Sequence, residues 1–331
     1  MTNRILVTGG AGYIGSHTVH ALLGRGYHVV ILDNFSTGHR AFTQGCQVIE
    51  CDLRDGQSLA KVFEANEFDA VMHFAAKSIV SESVQRPLEY FENNVTGSIN
   101  LIQCAIRHKI RSFVFSSSAA VYGNPITEMI NERHPINPIN PYGQSKAIVE
   151  TILIEAARAY TLNSVSFRYF NAAGAAPELN LGENHNPETH LIPNILTSCL
   201  KEPGAKLKVF GADYDTPDGS CVRDYVHVKD LAKAHLLGLE YISGNRGCHQ
   251  LNLGTREGSS VFEVIKTCEE VAHRPIAFEI VSKRAGDPAT LVANYSRAQA
   301  LLGWVPEHSL NNCVNDAWLW HQSQQGQGQF T

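Results

Sequence analysis

Short, uninterrupted apolar runs alternate along the first half of the chain with longer stretches in which apolar positions recur at helical spacing. Runs of strand length with no polar interruption suit strands buried on both faces, and the amphipathic stretches between them suit crossover helices. The alternation therefore predicts a parallel sheet covered by helices on both sides. Arg4 to Thr8 reads as the first buried strand, Gly12 to Gly26 as a helix that Gly26 closes, and His28 to Asp33 as the second strand. Further strands are expected at Gln47 to Glu50, Ala70 to Ala75, Ser112 to Ser118 and Ser164 to Phe170, with helices notably at Pro87 to His108 and Tyr142 to Tyr160. The expected fold class is α/β, a Rossmann-type doubly wound parallel sheet.

The texture changes after Asn171, where a segment rich in Gly, Pro and Asn runs to His190. Shorter elements follow: a strand at Lys206 to Gly211 and helices at Val228 to Tyr241, Ser260 to Ala272 and Asn311 to His321. We expect a nucleotide-binding domain over residues 1–171, a second, smaller α/β substrate domain over 172–322 with some elements returning to the first, and a polar, flexible tail over 323–331.

Composition narrows the function classes. With 331 residues, 44% of them hydrophobic, the chain buries a large core without metals or crosslinks. Its 27 Lys and Arg against 32 Asp and Glu give a net charge of -5 with no basic run, which argues against nucleic acid as a partner. Eight cysteines lie scattered, without zinc-finger spacing, and read as reduced thiols with no metal site expected. The apolar run near the N-terminus is too short for a secretion signal, and no stretch approaches the roughly 18 apolar residues of a membrane span. A cytoplasmic protein without membrane contact is expected.

The candidate chemistry begins at the first turn. Gly9, Gly12 and Gly15 fall between the first strand and the first helix, where glycines let the backbone approach a pyrophosphate and the helix N-terminus presents free N–H groups. Asp33 ends the second strand, placed to accept hydrogen bonds from adenosine ribose hydroxyls. A 2′-phosphate would meet like charge there, so the expected cofactor is NAD rather than NADP.

Pro141 opens the long helix, putting Tyr142 and Lys146 on one face at i and i+4. A neighbouring ammonium favours the phenolate, which a tyrosine needs to act as a base near neutral pH. Ser116, Ser117 and Ser118 tip an expected strand at the sheet's carboxyl edge, where ligands bind in open α/β sheets.

The segments TGGAGYIGSH, LDNFSTG, HFAA, NNVTG, FSSSAAVYG, PYGQSK, RYFNAAGA, VRDYVHVKDLA and RAGDPA together resemble, in order, the extended short-chain dehydrogenase/reductase family over about residues 3 to 322. The resemblance implies an enzyme that interconverts UDP-glucose and UDP-galactose at C4 through a transient 4-keto sugar and bound NAD, working as a homodimer. It implies that Tyr142 is the base, that Ser118 holds the reacting oxygen, and that Lys146 also holds the nicotinamide ribose. Tyr13, Ile14, the loop Asp33, Asn34, Phe35, Ser36 and Thr37, and Asp52, Leu53, Phe74, Ala75, Ala76, Ser78, Asn93 and Phe170 would line the dinucleotide. Asn171, Leu191, Phe210, Arg223, Arg284 and Asp287 would contact the UDP-sugar, the two arginines suiting a diphosphate through forked, charge-assisted hydrogen bonds.

Several positions depart from the family's pattern. Ser78 stands where many members carry a lysine, with Lys77 beside it; Thr189-His190 replaces paired asparagines; Ala120 replaces a threonine. A nucleotide-sugar 4,6-dehydratase would need an Asp-Glu pair after the active-site serine, and Ala119-Ala120 occupies that place. A non-catalytic NAD-sensing regulator would not need Ser118, Tyr142 and Lys146 together. Leu291 falls at the family's gate beside the sugar C2 substituent, and its intermediate size predicts weaker activity on the UDP-N-acetylhexosamine pair as well.

Overall fold

The computed structural model describes residues 4–43, 45–200, 206–284 and 287–325. The chain lays down β1 (Arg4–Thr8), β2 (His28–Asp33), β3 (Gln47–Glu50), β4 (Ala70–His73), β5 (Ser112–Ser116) and β6 (Asn163–Tyr169), leaves this layer for β7 (Val222–His227), and returns to it with β8 (Cys248–Leu253). The seven strands other than β7 form one parallel sheet in the order β8-β6-β5-β4-β1-β2-β3. The apolar runs are explained by burial on both faces. Ile5 and Val7 pack with Ile31 and Met72 under one helix layer, whereas Leu6 packs with Leu32, Val71 and Phe113 under the other.

Six helices matter for the site and its surroundings: α1 (Tyr13–Gly24), α2 (Pro141–Ala159), α3 (Leu191–Leu200), α4 (Val228–Gly244), α5 (Val261–Ala272) and α6 (Leu310–Gln325). β1, β2 and β3 take their expected bounds, while β4 and β5 each stop two residues early. The Ser117 N–H still donates to Phe167 of β6 at 2.9 Å, and Ser118 then leaves the sheet to cap a short helical turn, accepting a hydrogen bond from the Ala120 N–H at 3.2 Å. The helical run expected from Pro87 to His108 contains a wider π-type turn over Glu92–Thr96, which holds Asn93.

The second layer is built on β7, which pairs antiparallel with Gly258–Ser260 and parallel with Thr290–Ala293 and Asn171–Ala173. Leu207–Phe210, inside the expected strand, pairs with Phe278–Val281. α3, α5 and α6 close over this layer around Ile195, Val264, Cys268 and Val314. α6 continues to Gln325, three residues into the segment expected as a flexible tail, and its Gln325 side chain donates to the Leu200 carbonyl at 3.1 Å. Residues 326–331 of that segment lie outside the described residues.

Candidate active site

β1 has β2 on one side and β4 on the other, so successive crossovers run in opposite directions from it and open a crevice at its carboxyl end. A cleft of about 2090 Å³ occupies this position and extends beneath the second layer. All of the residues expected in catalysis, dinucleotide binding and sugar binding lie on its walls.

The floor is the glycine turn. Gly9 has φ +72°, and a Cβ there would fall 2.4 Å from the Ala75 nitrogen, so only glycine permits this approach of the two strand ends. Gly12 caps α1 without any side-chain hydrogen bond, leaving the first-turn N–H groups directed at the cleft. Asp33 is pinned by N–H groups of Ala11 (3.0 Å) and Phe35 (2.9 Å). Burial pushes its carboxyl above the usual range, and those backbone donors oppose the shift. An ionised carboxylate so held retains acceptor capacity toward a ribose diol. Asp52 accepts from Asn34 at 3.0 Å and pairs with Arg54 at 2.7 Å, which holds its carboxyl well below the usual range. The floor and rim therefore fit a dinucleotide.

Lys77, beside Ser78 on the cleft wall, is engaged by carboxylates. Its ammonium is held by Glu89 at 3.0 Å and Glu82 at 3.9 Å. Asn94 fixes the Lys77 backbone at both its N–H (2.8 Å) and its carbonyl (2.9 Å).

The catalytic candidates meet where α2 begins. Asn140 caps the helix by accepting from the Gly143 N–H at 2.8 Å, with Pro141 in the first turn. A Cβ on Gly143 would lie 2.4 Å from the Ala120 carbonyl oxygen, so glycine lets α2 rest against the turn that carries Ser118. Tyr142 is buried, and burial raises its phenol above the ordinary tyrosine value while a hydrogen bond with Ser118 opposes the rise. Lys146 is also buried and donates to the Ser116 carbonyl at 2.7 Å; burial lowers its ammonium to about 7.

This corrects one expectation. The spacing predicts a lowered Tyr142 phenol, whereas burial raises it here, with the Lys146 Nζ 5.9 Å from the ring centroid and its own charge disfavoured by desolvation. A phenolate at Tyr142 needs a further positive charge brought into the cleft.

On the opposite wall Arg223, only 11% exposed at its side chain, forms an ion pair with Asp287. Arg284 stacks over Phe210, 3.8 Å from its centroid. Leu291 neighbours Arg223 in the strand register and packs beside Phe170 and Ala293 while lining the cleft. Asn171 lies on the strand paired to β7, and Leu191 opens α3.

Two groups were missed by the sequence reading. Glu150, one turn beyond Lys146 on α2, makes a buried forked pair with Arg168 of β6 and accepts from Ser117. The i+4 spacing from Lys146 was the available signal. Glu183, His185, Glu188 and His190 converge, all but Glu188 lining the cleft, and their spacing within eight residues was visible in the sequence.

Comparison with known proteins places these features in a family. Residues 5–254 match the NAD dependent epimerase/dehydratase family. A UDP-glucose 4-epimerase of Halalkalibacterium halodurans is 47% identical over 319 residues, covering 96% of this chain and 95% of that protein. The structure is similar to a UDP-glucose 4-epimerase from Brucella ovis in complex with NAD, with TM-score 0.92, 42% identity and coverage of 96% and 97% of the two chains. It is likewise similar to a UDP-glucose 4-epimerase from Bifidobacterium longum in complex with NAD+ and UDP, with TM-score 0.92, 38% identity and coverage of 97% and 99%.

Proposed function

The chain belongs to the NAD dependent epimerase/dehydratase family, and from that premise we propose that it is an NAD-dependent isomerase interconverting UDP-glucose and UDP-galactose at C4. The observation that carries this reading is the meeting of Ser118, Tyr142 and Lys146 beside the glycine turn, in a cleft whose far wall presents Arg223 and Arg284. When bound, NAD supplies a hydride acceptor at the sugar C4 and a positive charge beside Tyr142.

Tyr142 takes the C4 hydroxyl proton as the C–H hydride departs, so the sugar becomes a 4-keto sugar. Ser118, already bonded to Tyr142, holds the same oxygen. The arginines would grip the diphosphate while the keto sugar turned over, and Tyr142 would return its proton to the C4 oxygen as C4 regained its hydride, so that no oxidant is consumed. Ala119 and Ala120 provide no acid for eliminating water, which opposes a dehydratase. The eight unpaired cysteines support a cytoplasmic location. A homodimer is part of this proposal, and a two-chain mass by light scattering would test it.

Incubation with UDP-galactose should yield UDP-glucose with no added oxidant. No conversion, or NADH accumulating in step with product, overturns the proposal. Denatured protein should release NAD rather than NADP because of Asp33, and extraction of mostly NADP contradicts that role.

Leu291 sets a second prediction. Its side chain leaves the wall between Arg223 and Phe170 less filled than a tyrosine would, so weaker turnover of UDP-N-acetylhexosamines is expected beside full activity on the hexose pair. Leu291→Tyr should lower kcat/KM on the N-acetyl substrates by about 10-fold or more relative to the hexoses. An equal effect on both pairs shows that residue 291 is not the gate.

A further inference from the structure

One loop between the Rossmann layer and α3 gathers four donors of a kind that the proposed reaction does not use. The spacing Glu-x-His-x-x-Glu-x-His over residues 183–190 places one ligand atom from each of Glu183, His185, Glu188 and His190 within 4.8 Å of all the others, the sole such group among the described residues. Both histidines offer the same ring nitrogen. His190 Nδ1 lies 2.6 Å from a Glu183 oxygen and 3.3 Å from a Glu188 oxygen, and His185 Nδ1 lies 3.3 Å and 3.7 Å from oxygens of the same two residues. His185 Nδ1 is buried, in range of both carboxylates but aligned for a hydrogen bond with neither.

An ordinary ion-pair knot matches each N–H to one oxygen. Here each nitrogen has both carboxylates within 4 Å, and one ligand atom from each of the four residues lies within 4.8 Å of all the others. We propose that Glu183, His185, Glu188 and His190 form a binding site for one divalent transition cation of the zinc class. Two imidazole nitrogens with two carboxylates suit such a cation in tetrahedral coordination, whereas calcium and magnesium demand more oxygen ligands. Bonds of about 2.0–2.2 Å separate tetrahedral ligands by roughly 3.4 Å. The nitrogen–oxygen separations of 2.6 to 3.7 Å bracket that value, and the widest pair, at most 4.8 Å, has to close by little more than an ångström.

The location gives the site a consequence. The His185 ring stands edge-on to Tyr13, 6.5 Å between centroids, and His190 directly precedes Leu191. A bound cation would fasten loop 183–190 between the glycine-turn side of the cleft and the start of α3.

The full-length, tag-free protein, dialysed against a chelator and then desalted, is titrated with Co²⁺ followed by Zn²⁺. One Co²⁺ per chain should bind with visible d–d absorption of a four-coordinate site, and Zn²⁺ should displace it. Glu188→Gln and His190→Gln should each weaken binding by at least about 10-fold, and the double variant should bind at background. In the wild type, Co²⁺ should shift the imidazole resonances of His185 and His190. No Co²⁺ bound by wild type, equal binding by the double variant, or shifts confined to other histidines overturns the proposal. None of these readouts depends on epimerisation, so their failure leaves the proposed activity standing.

Discussion

Tyr142→Phe should reduce conversion of UDP-galactose to UDP-glucose by at least about 100-fold, the lower end for loss of a general acid–base. The substitution deletes one hydroxyl and keeps the buried ring, so far-UV circular dichroism and the NAD content of the purified protein should match wild type. The loss should fall on kcat, because the proton moves only in the chemical step. Ser118 keeps its place through its backbone-capping bond to Ala120 and does not substitute as base. Near-normal turnover in the variant removes Tyr142 from the mechanism.

Arg168→Met should destabilise the protein by about 3–5 kcal/mol, read as a shift in the denaturant midpoint. Arg168 and Glu150 are 5% and 3% exposed, and Arg168 Nε meets both Glu150 oxygens at 3.0 and 3.1 Å. Removing the guanidinium strands a carboxylate in the interior and breaks a chain that continues from Arg168 to Tyr122 (3.0 Å) and from Tyr122 to Asn252 (2.6 Å). Adding Glu150→Leu to Arg168→Met should recover more than half of the loss, since two apolar side chains leave no unpaired charge. A loss under about 1 kcal/mol in the single variant refutes the assigned weight of this pair. The pair also bears on function, because Glu150 ties Ser117 to α2 next to Ser118 and Lys146.

What was legible in the chain follows from the reach of each signal. β1 and β2 announce themselves because both faces are buried, so every position between the polar residues at the two ends of each strand is apolar. β8, with the sequence CHQLNL, was not expected: an edge strand half covered at its start carries polar residues and loses the unbroken run. Met129–Ile130 and Gly258–Ser260 are too short for any periodicity. At the site, local spacings such as Gly9-Gly12-Gly15 and Tyr142-Lys146 are intelligible because one turn or one helix face completes them. The Glu150–Arg168 pair depends on a helix meeting a strand, and the direction of the Tyr142 shift depends on burial, which spacing does not report.

The return of β8 to the large sheet governs how the polypeptide matures during synthesis. β8 pairs with β6 across a gap of 84 positions, from Ser164 to Cys248, and α4, which packs on α1, is likewise made after the Asn171 crossing. A nascent chain released up to residue 171 holds six of the seven strands but lacks the seventh and the helix that shields Val19 and Leu22 on α1. The edge strand and the helix that complete the nucleotide-binding layer are therefore synthesised only after β7, so residues 1–171 alone should not form a stable fragment. A fragment cut at residue 171 would carry an exposed β6 edge and should aggregate rather than retain NAD, which light scattering and cofactor content would read.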